Sequence, residues 1–162
     1  MKNKLSGFIL LTFTLVGVYD KAYSQNEKDN KLLVSKYFEV VINQQKPELL
    51  KNIFSEDYVN ISIENGKETR GIKQLYDFLP YLFKAFPDIN YTIDQIVAEG
   101  DKVVVQATVR GTQKGEFWGY PISNNKINVT EVFFYTVKGG KIVENKRLLD
   151  LFQLGKQLKG DK

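Results

Sequence analysis

The sequence predicts an α+β protein in which three N-terminal helices pack on a strongly curved antiparallel sheet. Apart from one short strand, apolar residues recur at helical spacing as far as Phe86 and alternate at strand spacing after it. Helices followed by a run of strands is the α+β pattern. The later strands are joined by short turns, Glu99-Gly100-Asp101-Lys102 and Lys138-Gly139-Gly140-Lys141, which fit antiparallel hairpins. A chain of 162 residues suits one domain.

The elements follow in order. Met1–Lys4 carries two lysines, Leu5–Tyr19 is uncharged, and small residues stand at Ala22 and Ser24. That is the pattern of a secretory signal peptide cut after Ser24, so an exported protein, periplasmic or secreted, is expected. The apolar run is shorter than the roughly 20 residues of a membrane anchor, and no membrane association is expected after cleavage. Gln25–Asn30 reads as a short polar tail, which leaves 31–159 as the folded domain. Over Lys31–Gln45, Leu32, Leu33, Tyr37, Phe38, Val41 and Ile42 recur at helical spacing. Pro47 suits the first turn of a second helix, Glu48–Ile53. Tyr58–Ile63 alternates like a strand and runs into a turn at Glu64-Asn65-Gly66-Lys67. Gly71–Phe86 is a third helix, in which Pro80 should cause a kink or local break. Strands are predicted at Asn90–Ala98, Val103–Thr112, Ile127–Val137 and Ile142–Leu151, with a closing helix at Leu151–Leu158. Such a sheet bent over helices leaves a cone-shaped interior, where a small molecule would bind.

Composition excludes whole classes of chemistry. With no cysteine and no histidine, there is no disulfide, thiolate nucleophile, histidine triad or His/Cys metal site. Acid–base chemistry falls to Asp, Glu, Lys, Tyr or the substrate. No clustered acidic loop suggests a hard cation, so neither metal nor cofactor is expected. The net charge is +4; without residues 1–24 there remain 20 basic and 18 acidic side chains, or +2. Lysine and glutamate are interspersed, which argues against nucleic acid. Aromatics are 13% of the chain, with 11 Phe and 9 Tyr, enough to fill a core or to wall a cavity with flat apolar rings.

Alternation places Ile127, Val129, Glu131, Phe133, Tyr135 and Val137 on one face. Glu131 is then a carboxylate on an apolar stripe. It is either a general acid or base, or a residue that points to a rim or makes a structural ion pair with Arg110 or Lys102. In the last strand Asn145, Arg147 and Leu149 share one face. Asp150, set among leucines and Phe152, is either a catalytic acid or the N-cap of the last helix. Arg147 would hold an anionic substrate group or neutralise Glu131 or Asp150, and Asn145 accompanies it. Tyr37, Phe133 and Tyr135 are the expected aromatic lining. Trp118, beside Phe117 and Tyr120 on a glycine-bracketed loop, suits a lid or a packing role. Three Asn-x-Ser/Thr sequons, at Asn60, Asn90 and Asn128, lie on predicted strands and read as chance matches.

Three segments carry a resemblance: Phe86-Pro87-Asp88, Val97-Ala98-Glu99-Gly100-Asp101-Lys102-Val103-Val104-Val105, and Gly111-Thr112-Gln113-Lys114-Gly115-Glu116-Phe117-Trp118-Gly119-Tyr120-Pro121. With Gly140-Lys141-Ile142-Val143-Glu144, Asp150 and Gln157-Leu158 they resemble the SnoaL-like polyketide cyclase (ester cyclase) family of the NTF2-like superfamily, over roughly Lys31–Leu158. The resemblance implies the NTF2-like cone and cofactor-free intramolecular aldol chemistry, with an acid near the final strand moving a proton. It also shows departures. Members commonly continue Gly-Lys-Ile-Val-Glu with His-Trp-Asp, where this chain has Asn145, Lys146 and Arg147. A polar acid or His is frequent where this chain has Phe133. Two readings follow: a cyclase or isomerase acting on an apolar carbonyl compound through Asp150 or Glu131, and an exported small-molecule binder without catalysis. Curved sheets of this kind often pair through their open faces. A homodimer through the sheet is therefore a further expected association, favoured if Val103, Val105 and Val109 form an exposed apolar outer face.

Overall fold

The computed structural model describes residues 25–160, so the signal peptide expected over 1–24 lies outside the described residues. Helix α1 runs from residue 25 to residue 42 and closes in a π-helical stretch, Tyr37–Ile42. It starts ahead of the expected Lys31, and the presumed polar tail is helical. Tertiary hydrogen bonds account for this. The Asn30 amide donates to the Gly100 carbonyl at 2.9 Å, and Glu27 accepts from the Gly100 N–H at 3.1 Å. A 3₁₀ turn, Pro47–Leu49, leads into α2, Leu50–Ile53. Helix α3, Lys73–Ala85, continues through Pro80, which lies on its exposed side, so the expected break does not occur. Its Leu75, Leu79 and Leu82 are buried at i, i+4 and i+7, as an amphipathic helix requires.

The sheet has six strands: β1 Phe54–Ser62, β2 Glu68–Arg70, β3 Asn90–Glu99, β4 Lys102–Thr112, β5 Lys126–Lys138 and β6 Lys141–Leu149. Their order is β2-β1-β6-β5-β4-β3. The sheet is mixed rather than wholly antiparallel, because β1 and β6 run parallel, with Asn60 beside Asn145 and Ser62 beside Arg147. A parallel pair needs a crossover; here α3 and the other four strands lie between the partners in sequence. Alternation within a strand is silent on that pairing. Register shifts at Phe54/Val59, Ile93/Gln95 and Thr136/Val137 mark bulges, which bend and twist a sheet. The curved sheet closes over α1 and α3 as a cone, the shape that the resemblance implies. Helix α4, Leu151–Lys159, packs along β5 and buries Leu154 and Leu158.

The β5 face read from alternation is inward throughout: Ile127, Val129, Glu131, Phe133, Tyr135 and Val137 are all buried. Val103, Val105 and Val109 pair with Tyr135, Phe133 and Val129 and are buried too, so they form no exposed outer face. Lys102, Val104, Gln106, Thr108 and Arg110 alternate with them and take the outward side of β4 instead, which inverts the orientation that a dimer through those valines required.

Candidate active site

One cavity of about 440 Å³ opens from the concave side of the sheet, between β1, β5, β6, α1 and α3. Its floor comes from adjacent strands. In the β5–β6 register Glu131 faces Leu149, Phe133 faces Arg147, and Tyr135 faces Asn145. The bulge in this pair falls before Asn145, so Asn145, Arg147 and Leu149 stay in step and point inward as expected.

Glu131 is 4% exposed. Its Oε1 lies 3.9 Å from an Arg147 terminal nitrogen. The ion pair is thus made with Arg147; Arg110 and Lys102 stand on the exposed side of β4. Burial pushes the Glu131 carboxyl above its ordinary range. The Arg147 charge, and to a smaller degree the nearby Tyr91 hydroxyl, pull the other way without reversing it. Arg147 is held as a cation, since the nearby Glu131 and Glu64 charges outweigh its own desolvation. Its guanidinium carbon lies 5.7 Å from the centroid of the Trp118 ring, within cation–π range.

Aromatic rings share the interior wall with Ile42, Leu75, Leu79 and Leu82. Phe133 and Tyr135 stack in parallel with centroids 5.7 Å apart, and Phe38 meets Phe133 edge-on from α1. Tyr37 reaches the cavity from the π stretch, a wide turn often found at functional sites. Burial raises the phenols of Tyr37, Tyr58, Tyr91 and Tyr135, so all four remain protonated hydrogen-bond donors. Asn43, just past α1, fixes Tyr91. Its amide donates to the Tyr91 carbonyl at 2.9 Å and accepts from the Tyr91 N–H at 2.8 Å, standing in for a neighbouring strand.

Trp118 lines the cavity from its loop, 39% exposed and with φ of 50°, a rare conformation for a bulky side chain. Its backbone N–H donates to the Tyr81 hydroxyl at 2.6 Å. The buried Gln113 ties down the loop by donating to the carbonyls of Gly115 and Tyr120. Asp150 is elsewhere. It is exposed, it does not line the cavity, and its Oδ1 accepts the Gln153 N–H at 2.9 Å. The N-cap alternative therefore describes Asp150, because the first turn of α4 needs an acceptor there.

Several cavity residues escaped the sequence reading. Tyr58, Asn60 and Ser62 line the cavity from β1, and Tyr91 does so from β3. The β1–β2 hairpin adds Glu64, which accepts hydrogen bonds from Ser62 and from the Leu149 N–H and so links the mouth to the end of β6. The signal for β1 was present but inverted: its polar face, not its apolar one, looks inward, and Ile63 is exposed.

One feature sets this cavity apart. Among the described residues, four buried side-chain atoms have no hydrogen-bond partner: Glu131 Oε2, Tyr135 Oη, Asn145 Oδ1 and Arg147 Nε. All four residues line this cavity. Buried polar groups are nearly always satisfied, so these four turn to whatever fills the cavity, water or a bound molecule.

A family model, SnoaL-like polyketide cyclase, matches residues 31–158. The chain belongs to the SnoaL-like polyketide cyclase family. Among solved structures, the chain is similar to a proposed SnoaL-like polyketide cyclase from Jannaschia sp. CCS1, at 27% identity and a TM-score of 0.77, covering 85% of this chain and 96% of that one. TsrD from Streptomyces laurentii matches at 24% identity, TM-score 0.73, over 81% and 95% of the two chains. AclR, a proposed hydroxylase from Streptomyces galilaeus, matches at 24% and 0.73 over 83% of each. The last two likenesses concern fold alone. No curated protein matches the chain significantly. Of this SnoaL-like chain's departures from the His-Trp-Asp run, Asn145 and Arg147 face the cavity, whereas Lys146 is exposed on the outer side.

Proposed function

We propose that the cavity binds a small, largely apolar carbonyl compound and that Glu131 moves a proton on it, in cofactor-free cyclase- or isomerase-type chemistry. The observation that carries this is the unpartnered quartet of Glu131, Arg147, Tyr135 and Asn145 deep in a cavity whose interior wall is aromatic and aliphatic and whose mouth is polar. A carboxylate whose ionised form is disfavoured by burial is a stronger base than one in water, and its free Oε2 can accept an α-proton. As the proton leaves, negative charge develops on the carbonyl oxygen. The free Nε–H of Arg147 supplies a positive donor within the same cavity, which is oxyanion stabilisation of the usual kind. The proton then returns from Glu131 to the rearranged carbon or oxygen, and no external reductant or oxidant is needed. The acid expected on the final strand is thus carried by its neighbour β5, where Arg147 occupies the family's usual aspartate position.

A second reading is an exported binding protein without turnover, favoured by the replacement of the family's His and Asp with Asn145 and Arg147. Export is itself part of the proposal, supported by the basic, apolar and small-residue order of 1–24. An intact N-terminus on soluble cytoplasmic protein from the native host would contradict it.

The ligand reading is tested by native mass spectrometry of protein purified from its own host compartment, with aryl ketones then titrated as competitors. A retained carbonyl compound, displaced by ketones, is expected. A retained compound without a carbonyl, or failure of every ketone to bind, would refute it.

A further inference from the structure

Two of the four unpartnered groups lie away from the Glu131–Arg147 pair. Tyr135 and Asn145 are direct cross-strand partners, so their side chains leave the floor about 5 Å apart. Tyr135 is four residues along β5 from Glu131, or roughly 13 Å between Cα atoms at strand rise. Between them lies the flat face of Phe133, stacked on Tyr135.

The two groups are complementary. The Asn145 amide nitrogen is engaged by Asn60 Oδ1 at 3.0 Å, and that oxygen also faces the Tyr58 hydroxyl at 3.4 Å. This leaves Asn145 Oδ1, a pure acceptor, unpaired at the strand position directly across from Tyr135, whose hydroxyl, a donor, is unpaired too. A ligand hydroxyl placed between them would satisfy both, donating to Asn145 and accepting from Tyr135. A ligand carbonyl would leave Asn145 unpaired, an apolar group would leave both unpaired, and an ammonium would bring an unpaired charge among buried rings.

We infer that Tyr135 and Asn145 form a hydroxyl-recognition subsite, so that the ligand is a flat hydroxy-ketone whose hydroxyl and carbonyl stand on the order of 10 Å apart, somewhat less than the roughly 13 Å between the Cα atoms because side chains converge on the concave face of a bent sheet. This rests on the carbonyl reading of the Glu131 end and adds the second functional group. The cavity's rings on either side favour a planar body between the two oxygens.

The test uses a matched pair of probes, 4-acetyl-4′-hydroxybiphenyl and 4-acetylbiphenyl, titrated into the protein by calorimetry. The hydroxy-ketone should bind at least about tenfold tighter, since its absence leaves two buried groups unpaired. In Tyr135→Phe, which removes an oxygen that has no protein partner, the preference should fall to about threefold or less. Asn145→Ala should do the same, with thermal melting of both variants as the folding control. Glu131→Gln should keep the preference, because it alters only the far end. Equal affinities in the wild type, or a tenfold preference surviving in both Tyr135→Phe and Asn145→Ala, would overturn the subsite. If the preference holds while Glu131→Gln leaves proton transfer unchanged, the base assignment fails and the subsite stands. If Glu131→Gln abolishes proton transfer and the hydroxyl gives no gain, the reverse is true.

Discussion

Replacing Asp150 separates a helix cap from a catalytic acid, the two roles its sequence context allows. Its Oδ1 accepts the Gln153 N–H at 2.9 Å, and α4 depends on that end to lay Leu154 and Leu158 against β5. Losing an N-cap acceptor costs about 1 kcal/mol, and losing a negative charge at a helix N-terminus about 0.3–1 kcal/mol more. Asp150→Ala removes both and should cost about 1–2 kcal/mol; for a domain of this size that lowers the melting temperature by about 2–8 °C. Asp150→Asn keeps a capping oxygen and loses only the charge, so it should cost about 0.3–1 kcal/mol. The assay is thermal unfolding in parallel with ketone binding and α-proton exchange. Stability should fall in the order wild type, Asn, Ala, while binding and exchange stay within about twofold, because the side chain lies outside the cavity. Loss of exchange by orders of magnitude in Asp150→Asn, with unchanged melting, would refute the cap and restore the catalytic role.

Other outcomes follow from the same geometry. A Cβ at Gly115 would stand 2.8 Å from the Lys84 carbonyl oxygen and 3.0 Å from the Ala85 Cα, both backbone atoms that cannot yield alone. Gly115→Ala should therefore cost about 1–3 kcal/mol in denaturant unfolding and loosen the Trp118 loop. Because burial raises the Glu131 pKa above its ordinary 4.5, the protonated form is favoured in the folded state. Its stabilising contribution is complete below pH 4.5 and is lost as pH rises through the folded-state value, so wild type should lose stability relative to Glu131→Gln across that interval. Glu64 has the opposite sign. Burial raises its carboxyl, but the hydrogen bonds from Ser62 and Leu149 outweigh that and lower it, so its contribution is lost as pH falls below the ordinary range, and Glu64→Gln should flatten the acid limb. Denaturant titrations at a series of pH values check both.

Strands packed against one core were legible where the usual rule held. The period-two pattern of β5 identified Glu131 as an inward carboxylate, and that of β6 paired Asn145 with Arg147 on the same face. The rule fails where a strand forms the polar mouth of the cavity instead of its apolar interior. Tyr58, Asn60 and Ser62 look inward because a polar cavity mouth wants them, while the apolar side of β1 is left half-buried or exposed. Long-range polar contacts were equally invisible. Asn30 and Glu27 hold the start of α1 through Gly100, some seventy residues away, and no local propensity encodes that. The parallel β1–β6 pair depends on a crossover and leaves no trace in either strand's own pattern. Asp150 was ambiguous for a simpler reason. A carboxylate before a leucine-rich segment looks the same whether it caps a helix or enters a site, and only its exposure decides.

The central claim is that Glu131 is the proton-moving group of this cavity, and deuterium exchange tests it most directly. Wild-type protein and Glu131→Gln are incubated with 4-acetylbiphenyl in D₂O, and loss of the acetyl methyl signal is followed by proton NMR. Wild type should accelerate exchange over buffer. Glu131→Gln should lose that acceleration by about 10²-fold or more, as removal of a general base does, while still binding the ketone. Equal exchange by the two proteins would contradict the account.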